Sequence, residues 1–219
     1  MARLRVHPRS PSPAEAMLPQ LEPLVAAGLD SAASALSAMT GRTIQVRATR
    51  LQQVPLAHLS LVAGDPERPV VAIYLGVGGA YCGHLLLALS EPMALAFVDM
   101  LLDQPDGSTG ALAALEVSAL AEAGNVAGSA FLNALANGAH LVILPTPPVV
   151  LEDMCGAILD TLATELALHD QEDALVIEAQ LASAGQTVDA AFLVFPAPEM
   201  LFALAQGARD EVGGGNVDG

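Results

Sequence analysis

Glu122 and Asn125 are the pair of residues in this sequence whose types and spacing are best suited to chemistry, within the segment SALAEAGN. On a helix, residues three positions apart have Cβ atoms about 5–6 Å apart and project in the same direction. A carboxylate pairs with cations, and an amide both donates and accepts hydrogen bonds. One partner molecule could therefore contact both side chains.

The segment from Leu112 to Ala136 is predicted to be the helix that positions this pair. At about 100° per residue, one side of it is apolar, formed by Val117, Leu120, Gly124, Phe131 and Leu135. An opposite sector of about 60° is polar, formed by Ser118, Glu122, Asn125 and Ser129. The Gly-Asn pair in the middle of the helix costs about 1–1.5 kcal/mol relative to two alanines. Such a penalty, without an obvious packing gain, indicates function.

The distribution of charged residues limits which cations can form an ion pair with Glu122. The chain has 24 acidic and 8 basic residues, a net charge of −16, and no basic residue between Arg68 and Arg209. A cation that pairs with Glu122 must come from the distant N-terminal part or from another molecule. The same balance excludes nucleic-acid backbones as partners and argues against insertion at anionic membranes. The alternative is that Glu122 is an ordinary solvated surface carboxylate.

Composition predicts one folded domain in a reducing compartment. Hydrophobic residues make up 53% of the 219 residues and aromatic residues 3%, so the core is built mainly from aliphatic side chains. Cys82 and Cys155 form no CxxC motif, and no secretory signal is recognisable, which indicates a cytoplasmic protein with reduced thiols. Residues 1–17 and 207–219 are predicted to be flexible tails, and residues 18–206 the domain.

The order of predicted elements is that of an α+β fold. Helices are predicted at residues 18–39, 91–102, 112–136, 154–166 and 198–206, and strands at 43–49, 58–64, 70–75, 84–89, 141–144, 174–182 and 188–195. The uncharged run from Pro69 to Ser90 is long enough to span a bilayer, but its central glycines predict a hairpin instead. These elements predict a mostly antiparallel sheet with long helices packed on it.

A shift of 96 residues superimposes the two halves of the chain. It places Gly28 on Gly124 and Leu36 on Leu132. Few identities survive, but the shared order of elements predicts a duplication with pseudo-two-fold symmetry, with repeats at about 18–104 and 108–206.

Two other motifs have ordinary structural interpretations. The segment GVGGAYCG lacks the Lys and the spacing of a phosphate loop, and a hairpin turn is the better interpretation. The charged run His169, Asp170, Glu172 and Asp173 lacks regular metal-ligand spacing and is interpreted as a solvated turn. Nothing in the sequence indicates a metal or organic cofactor of the protein's own.

The segment SALAEAGN resembles the Ser/Asp-x3-Glu-x2-Asn signature of CheC-type chemotaxis phosphatases. That family has a proline about twenty residues after the signature, and Pro145, Pro147 and Pro148 occupy that region here. The predicted order of helices and strands over residues 18–206 also follows the family. The resemblance implies a CheC-like fold and hydrolysis of the aspartyl-phosphate of a response regulator such as CheY.

The resemblance also implies the role of each residue. Asn125 would orient the attacking water, and Glu122 would pair with a lysine of the regulator. Ser118 and Ser129 would contact the substrate, although Ser118 could equally be a neutral surface residue of the helix. The regulator would supply the lysine and a Mg²⁺ ion, and a CheD-type deamidase is a candidate second partner.

The first half of the chain departs from the family pattern. The 96-residue shift places Glu22, Ala26, Leu29 and Ala33 on the four polar positions of the second half. Because Ala26 cannot pair with a lysine and Leu29 cannot hold a water, a single active site is predicted. The alternative is a non-catalytic module of the flagellar-switch type, similar to FliM, that binds a response regulator or a CheD-type partner.

Overall fold

The computed structural model describes residues 13–183 and 186–214, which form one antiparallel sheet with helices on both faces. The helices are α1 Pro13–Thr40, α2 Glu91–Leu101, α3 Ala114–Ala139, α4 Cys155–Leu168 and α5 Pro198–Gly214. The strands are β1 Ile44–Pro55, β2 Pro69–Gly78, β3 Gly83–Ser90, β4 Leu144–Pro145, β5 Val149–Met154, β6 Asp173–Ser183 and β7 Gln186–Pro196. A 3₁₀ helix, Leu56–Leu61, connects β1 to β2.

The pairing of the strands has internal symmetry. Their order is β1-β6-β7-β3-β2, and both β4 and β5 pair with the outer side of β2. Exchanging β1 with β5, β2 with β6 and β3 with β7 reproduces every one of the five main pairings. The predicted α+β fold class is confirmed, and the pairing places a pseudo-two-fold axis between β3 and β7. The exact domain and repeat boundaries stay predictions.

The two faces of the sheet carry two separate cores. Helices α1, α2, α3 and α5 cover one face, and α4 with the 3₁₀ helix covers the other. Successive strand residues point to opposite faces. On β2, Ile73 and Leu75 therefore join the larger core under α3, whereas Ala72 and Tyr74 pack on the α4 side.

The uncharged run from Pro69 to Ser90 forms the hairpin of β2 and β3, as predicted, with Val70 paired to Ser90 and Val77 to Gly83. Gly79, at the turn, has a φ of +99°, a conformation that glycine adopts without strain. Among the described helices, none is long and apolar enough to cross a lipid bilayer.

Two predicted strands differ from the structure, and one observed strand was not predicted. Residues 58–64 are not a strand: they lie in the 3₁₀ helix and the turn after it, where only Leu59 is fully buried. The strand predicted at 141–144 is reduced to Leu144–Pro145, which pairs with Gly78 and Val77 of β2. β5 was not predicted, since its sequence VVLEDM is mostly exposed and lacks apolar alternation.

The terminal helices extend into the segments predicted as tails. α1 begins at Pro13 and α5 continues to Gly214, so residues 13–17 and 207–214 are helical. Residues 1–12 and 215–219 lie outside the described part of the chain.

A buried carboxylate fixes the connection from α2 to α3. Asp99 has no exposed surface. Its oxygens accept hydrogen bonds from the Gly107 N–H at 2.6 Å, from the Thr109 hydroxyl at 2.6 Å and N–H at 2.9 Å, and from the Ser108 hydroxyl at 3.0 Å. These bonds hold the turn around Gly107 that connects α2 to α3.

The hydrogen-bonded Asp99 carboxylate is expected to contribute to the free energy of unfolding in a way that is lost in acid. The Thr109 hydroxyl, with Ser108 and the N–H groups of Gly107 and Thr109, lowers the pKa of Asp99 to about 2, against the opposing effect of burial. The ionised form is favoured in the folded state, so its contribution is complete above the unfolded pKa of about 4 and is lost as pH falls towards 2. Asp99→Asn is expected to remove this part of the pH dependence.

Urea unfolding between pH 2 and 6 measures that dependence directly. Asp103→Asn, which neutralises an exposed carboxylate of the same connection, is the matched control and should follow the wild type. Identical pH profiles of stability for Asp99→Asn and the wild type would contradict stabilisation of the fold by the ionised Asp99 carboxylate.

Candidate functional site

Helix α3 carries the predicted site and has defined ends. At its start, the Glu116 carboxylate accepts a hydrogen bond from the Ala113 N–H at 3.0 Å. At its end, His140 adopts a left-handed conformation with φ +55°, and the Leu141 N–H donates to the Ala136 carbonyl at 2.8 Å. Both arrangements satisfy backbone groups that the helix leaves open. The predicted helix at 112–136 is therefore present, shifted by two or three residues.

The four predicted site residues share the outward side of α3. Ser118 and Glu122 are exposed, and Asn125 and Ser129 are half-buried. Within residues 13–183 and 186–214, none of the four side chains makes a hydrogen bond or an ion pair. Their polar groups are therefore available to a partner molecule.

Gly124 has a packing role that the sequence did not reveal. A Cβ at this position would overlap Cγ2 of Ile73 on β2. One turn later, a Cβ at Gly128 would lie 3.0 Å from Cδ2 of Leu75. The expectation that Gly124 brings no packing gain is thus wrong, because both glycines let α3 lie directly on β2. This contact fixes the backbone beside Asn125.

The edge of the sheet continues the surface beside α3. Val150 of β5 pairs with Ile73, and Glu152 pairs with Val71. Directly paired residues of antiparallel strands project to the same face, so Val150 and Glu152 lie on the face that carries α3. α3 contacts both β4 and β5. Sequence reasoning missed these neighbours because it did not predict β5.

The proline region highlighted by the family resemblance is attached to the same strand. The Thr146 N–H donates to the Gly76 carbonyl at 2.8 Å, and the Gly76 N–H donates to the Thr146 hydroxyl oxygen at 2.9 Å. Pro145 pairs with Val77. The segment is therefore held against the end of β2, next to the position where Gly128 packs.

The elements around the site carry acidic side chains and no Lys or Arg. α3, β4 and β5 contain no Lys or Arg, whereas Glu122 and Glu152 are exposed carboxylates on this side of the molecule. No group of three or more His, Cys, Asp or Glu side chains in the described residues is arranged to hold a metal ion. Helix α3 and strands β4 and β5 therefore supply no positive formal charge to this surface.

The equivalent positions of α1 have a different environment. Glu22 and Ala26 are exposed, but Leu29 and Ala33 are only 2% and 4% exposed and belong to the larger core. An apolar buried leucine thus replaces the amide of Asn125. That the chain has a single site stays a prediction.

Comparisons with known proteins found a relative of similar sequence. No protein-family model matches the sequence. The CheY-P phosphatase CheC of Bacillus subtilis is 28% identical over 156 residues, which are 70% of this chain and 74% of that protein.

FliY and CheX are two of the solved structures that share the fold. FliY of Thermotoga maritima superimposes with a TM-score of 0.69 at 18% identity, over 93% of this chain and all of that one. The chemotaxis protein CheX of Vibrio vulnificus superimposes with a TM-score of 0.54 at 15% identity, over 80% of this chain and 99% of that one. The chain is therefore similar in sequence to CheC and shares its fold with FliY and CheX, so its resemblance is to proteins of the CheC/CheX/FliY type.

Proposed function

We propose that this protein is a phosphatase that hydrolyses the aspartyl-phosphate of a CheY-type response regulator in chemotaxis signalling. The observation that carries the proposal is the unpartnered pair of Glu122 and Asn125 on the outward side of α3. The similarity to a CheY-P phosphatase supplies the substrate class. One intact site, on α3, performs the reaction.

Asn125 positions the water in this mechanism. Its amide accepts a hydrogen bond from the water and holds the oxygen in line with the bond between phosphorus and the aspartyl oxygen. The water oxygen bonds to phosphorus as that bond breaks, so the regulator regains a free aspartate and inorganic phosphate is released. The proton of the attacking water passes to the phosphate or to solvent. Phosphoryl transfer of this kind depends mainly on positioning and charge stabilisation.

Glu122 aligns the regulator. Its exposed carboxylate pairs with a lysine of the regulator, which places the phosphorylated aspartate opposite Asn125, three residues along the helix. The regulator supplies the cations that stabilise the phosphoryl group, including its Mg²⁺ ion. This division of labour fits a catalyst whose own site has no positive charge.

The rigid support of α3 makes such positioning effective. Ala123 and Ala127 are fully buried, and Gly124 packs on Ile73, so the helix backbone on either side of Asn125 is enclosed. A displacement of about 1 Å can cost roughly 100-fold in rate when a reaction depends on positioning. A site on a packed helix meets that requirement better than a site on a loop.

The decay of radiolabelled phosphate on a CheY-type regulator with Mg²⁺, with and without this protein, tests the proposal. Faster loss of label is expected. If regulators from the same organism bind the protein but keep their phosphate for the same time, the non-catalytic binding module becomes the better description.

Glu122→Gln is expected to lower kcat/KM about tenfold, mainly through KM. The substitution keeps the shape and removes the charge that pairs with the regulator's lysine, an interaction worth roughly 1–1.5 kcal/mol at a partly desolvated interface. The difference from wild type should shrink at high salt because the pair is screened. Glu199→Gln, which neutralises an exposed carboxylate on α5, is the matched control. Equal kcat/KM values for Glu122→Gln and this control would remove the pairing role.

A further inference from the structure

A cavity of about 400 Å³ lies between α4 and strands β2 and β5, on the face of the sheet opposite α3. Its volume is within the range of small-molecule sites. Most of its wall is apolar, formed by Leu86, Leu151, Ile158 and Leu162. β5 is an outer strand of the sheet, and Leu151 is 37% exposed, so the cavity opens beside that edge.

The Tyr74 hydroxyl, at the sheet side of this cavity, already has a hydrogen-bond partner in His84, which is not one of the lining residues. The Tyr74 hydroxyl and Nδ1 of His84 share a hydrogen bond of 2.9 Å. Burial raises the pKa of Tyr74, with a further contribution from the charge of Glu165. Burial also lowers the pKa of His84. Both rings are therefore neutral at pH 7, and the interior of the cavity carries no charge of its own.

The charged groups of the cavity are all of one sign. Asp153 and Glu165 line it and are solvent-exposed, whereas Glu152, also a lining residue, directs its side chain to the face that carries α3. No Lys or Arg is among the lining residues. An apolar interior with a negatively charged opening complements a molecule that is apolar at one end and positively charged at the other. An anion of the same shape meets repulsion at the opening.

We propose that this cavity is a binding site for a small organic cation. The apolar part of the ligand packs against Leu86, Ile158 and Leu162, and its positive group lies among the carboxylates of Asp153 and Glu165. The site is separate from the proposed phosphatase site, because Ile73 faces α3 whereas its neighbour Tyr74 faces the cavity. Its test accordingly needs no phosphatase assay.

Three probes of similar shape and different charge test the proposal: 2-phenylethylammonium, 2-phenylethanol and 3-phenylpropanoate. Amide NMR shifts of the full chain are followed during titration at pH 7. The ammonium ion is expected to bind saturably with a Kd in the millimolar range, and the alcohol and the carboxylate at least about tenfold more weakly. The shifted amides should include those of Leu151, Ile158 and Thr161, which line the cavity.

Variants on α4 locate the binding. Ala157→Phe places a ring in the cavity and should abolish binding, whereas Ala167→Phe, at an exposed alanine outside the lining, should not. Glu165→Gln should weaken binding of the ammonium ion about three- to fivefold, and Asp160→Asn, an exposed acid on the same helix, should leave it unchanged.

Any of three results would overturn the site. The first is the lack of saturable shifts with the ammonium ion. The second is binding that does not distinguish the ammonium ion from the carboxylate, and the third is binding that persists unchanged in both Ala157→Phe and Glu165→Gln. Because the charge series is measured on the wild-type chain, poor folding of a variant does not affect that conclusion.

Discussion

Asn125→Ala is expected to lower the rate of regulator dephosphorylation about 10²- to 10³-fold. The substitution removes the amide to which the proposed mechanism assigns the attacking water. Losing a single preorganised polar group at the reacting centre typically costs about 3–4 kcal/mol in transition-state stabilisation. The measurement is kcat from the decay of labelled phosphate at saturating regulator.

The structure predicts that this loss is one of chemistry and not of folding. The Asn125 side chain makes no hydrogen bond within the described residues, so its removal leaves no buried group without a partner. Alanine also favours the helix slightly over asparagine. The free energy of unfolding should therefore stay within about 0.5 kcal/mol of wild type or rise.

Asn133→Ala is the matched control because it removes an exposed amide from the same helix, two turns beyond Asn125. It should keep the wild-type rate. Binding of the regulator should also survive in Asn125→Ala, since Glu122 remains. A wild-type kcat for Asn125→Ala, in protein that is fully folded, would exclude a water-positioning role for this residue.

Local pattern was sufficient to predict α3, its polar side and the β2–β3 hairpin. Helical periodicity placed Leu120 and Phe131 inside and Glu122 outside, and both signals come from residues close in sequence. β5 could not be found in this way, because only its pairing with β2 makes the sequence VVLEDM a strand. The surface that Val150 and Glu152 add beside α3 was therefore invisible in the sequence.

Gly124 is a second feature whose cause lies in a contact with a residue distant in the sequence. In the sequence, Gly124 is a helix-weakening residue next to Asn125. This pattern suggested a functional role for the glycine and gave no sign of its packing role. Its partner, Ile73, is 51 positions earlier, on a strand whose place under α3 depends on the whole sheet. A glycine that a helix needs for close packing and one that a ligand needs are indistinguishable without knowledge of that neighbour.

Gly124→Val is expected to lower the free energy of unfolding by about 3 kcal/mol. The Cβ alone would overlap Cγ2 of Ile73, which is itself fully buried, and the two extra methyl groups increase the crowding. α3 would have to move away from β2 to relieve the overlap. Since Asn125 follows directly, the surviving folded protein should also lose phosphatase activity. Chemical denaturation, followed by circular dichroism, measures the change in stability.

Two further variants distinguish steric overlap with Ile73 from the general effect of replacing a glycine. Gly110→Val is the matched control, because nothing lies within 4 Å of a Cβ at that position; its effect should stay within about 0.5 kcal/mol. In an Ile73→Ala background, which removes the overlapping Cγ2, Gly124→Val should cost at least about 1 kcal/mol less than in the wild type. If Gly124→Val is no more destabilising than Gly110→Val, or if its cost is unchanged by Ile73→Ala, then close packing on β2 is not what requires glycine beside Asn125.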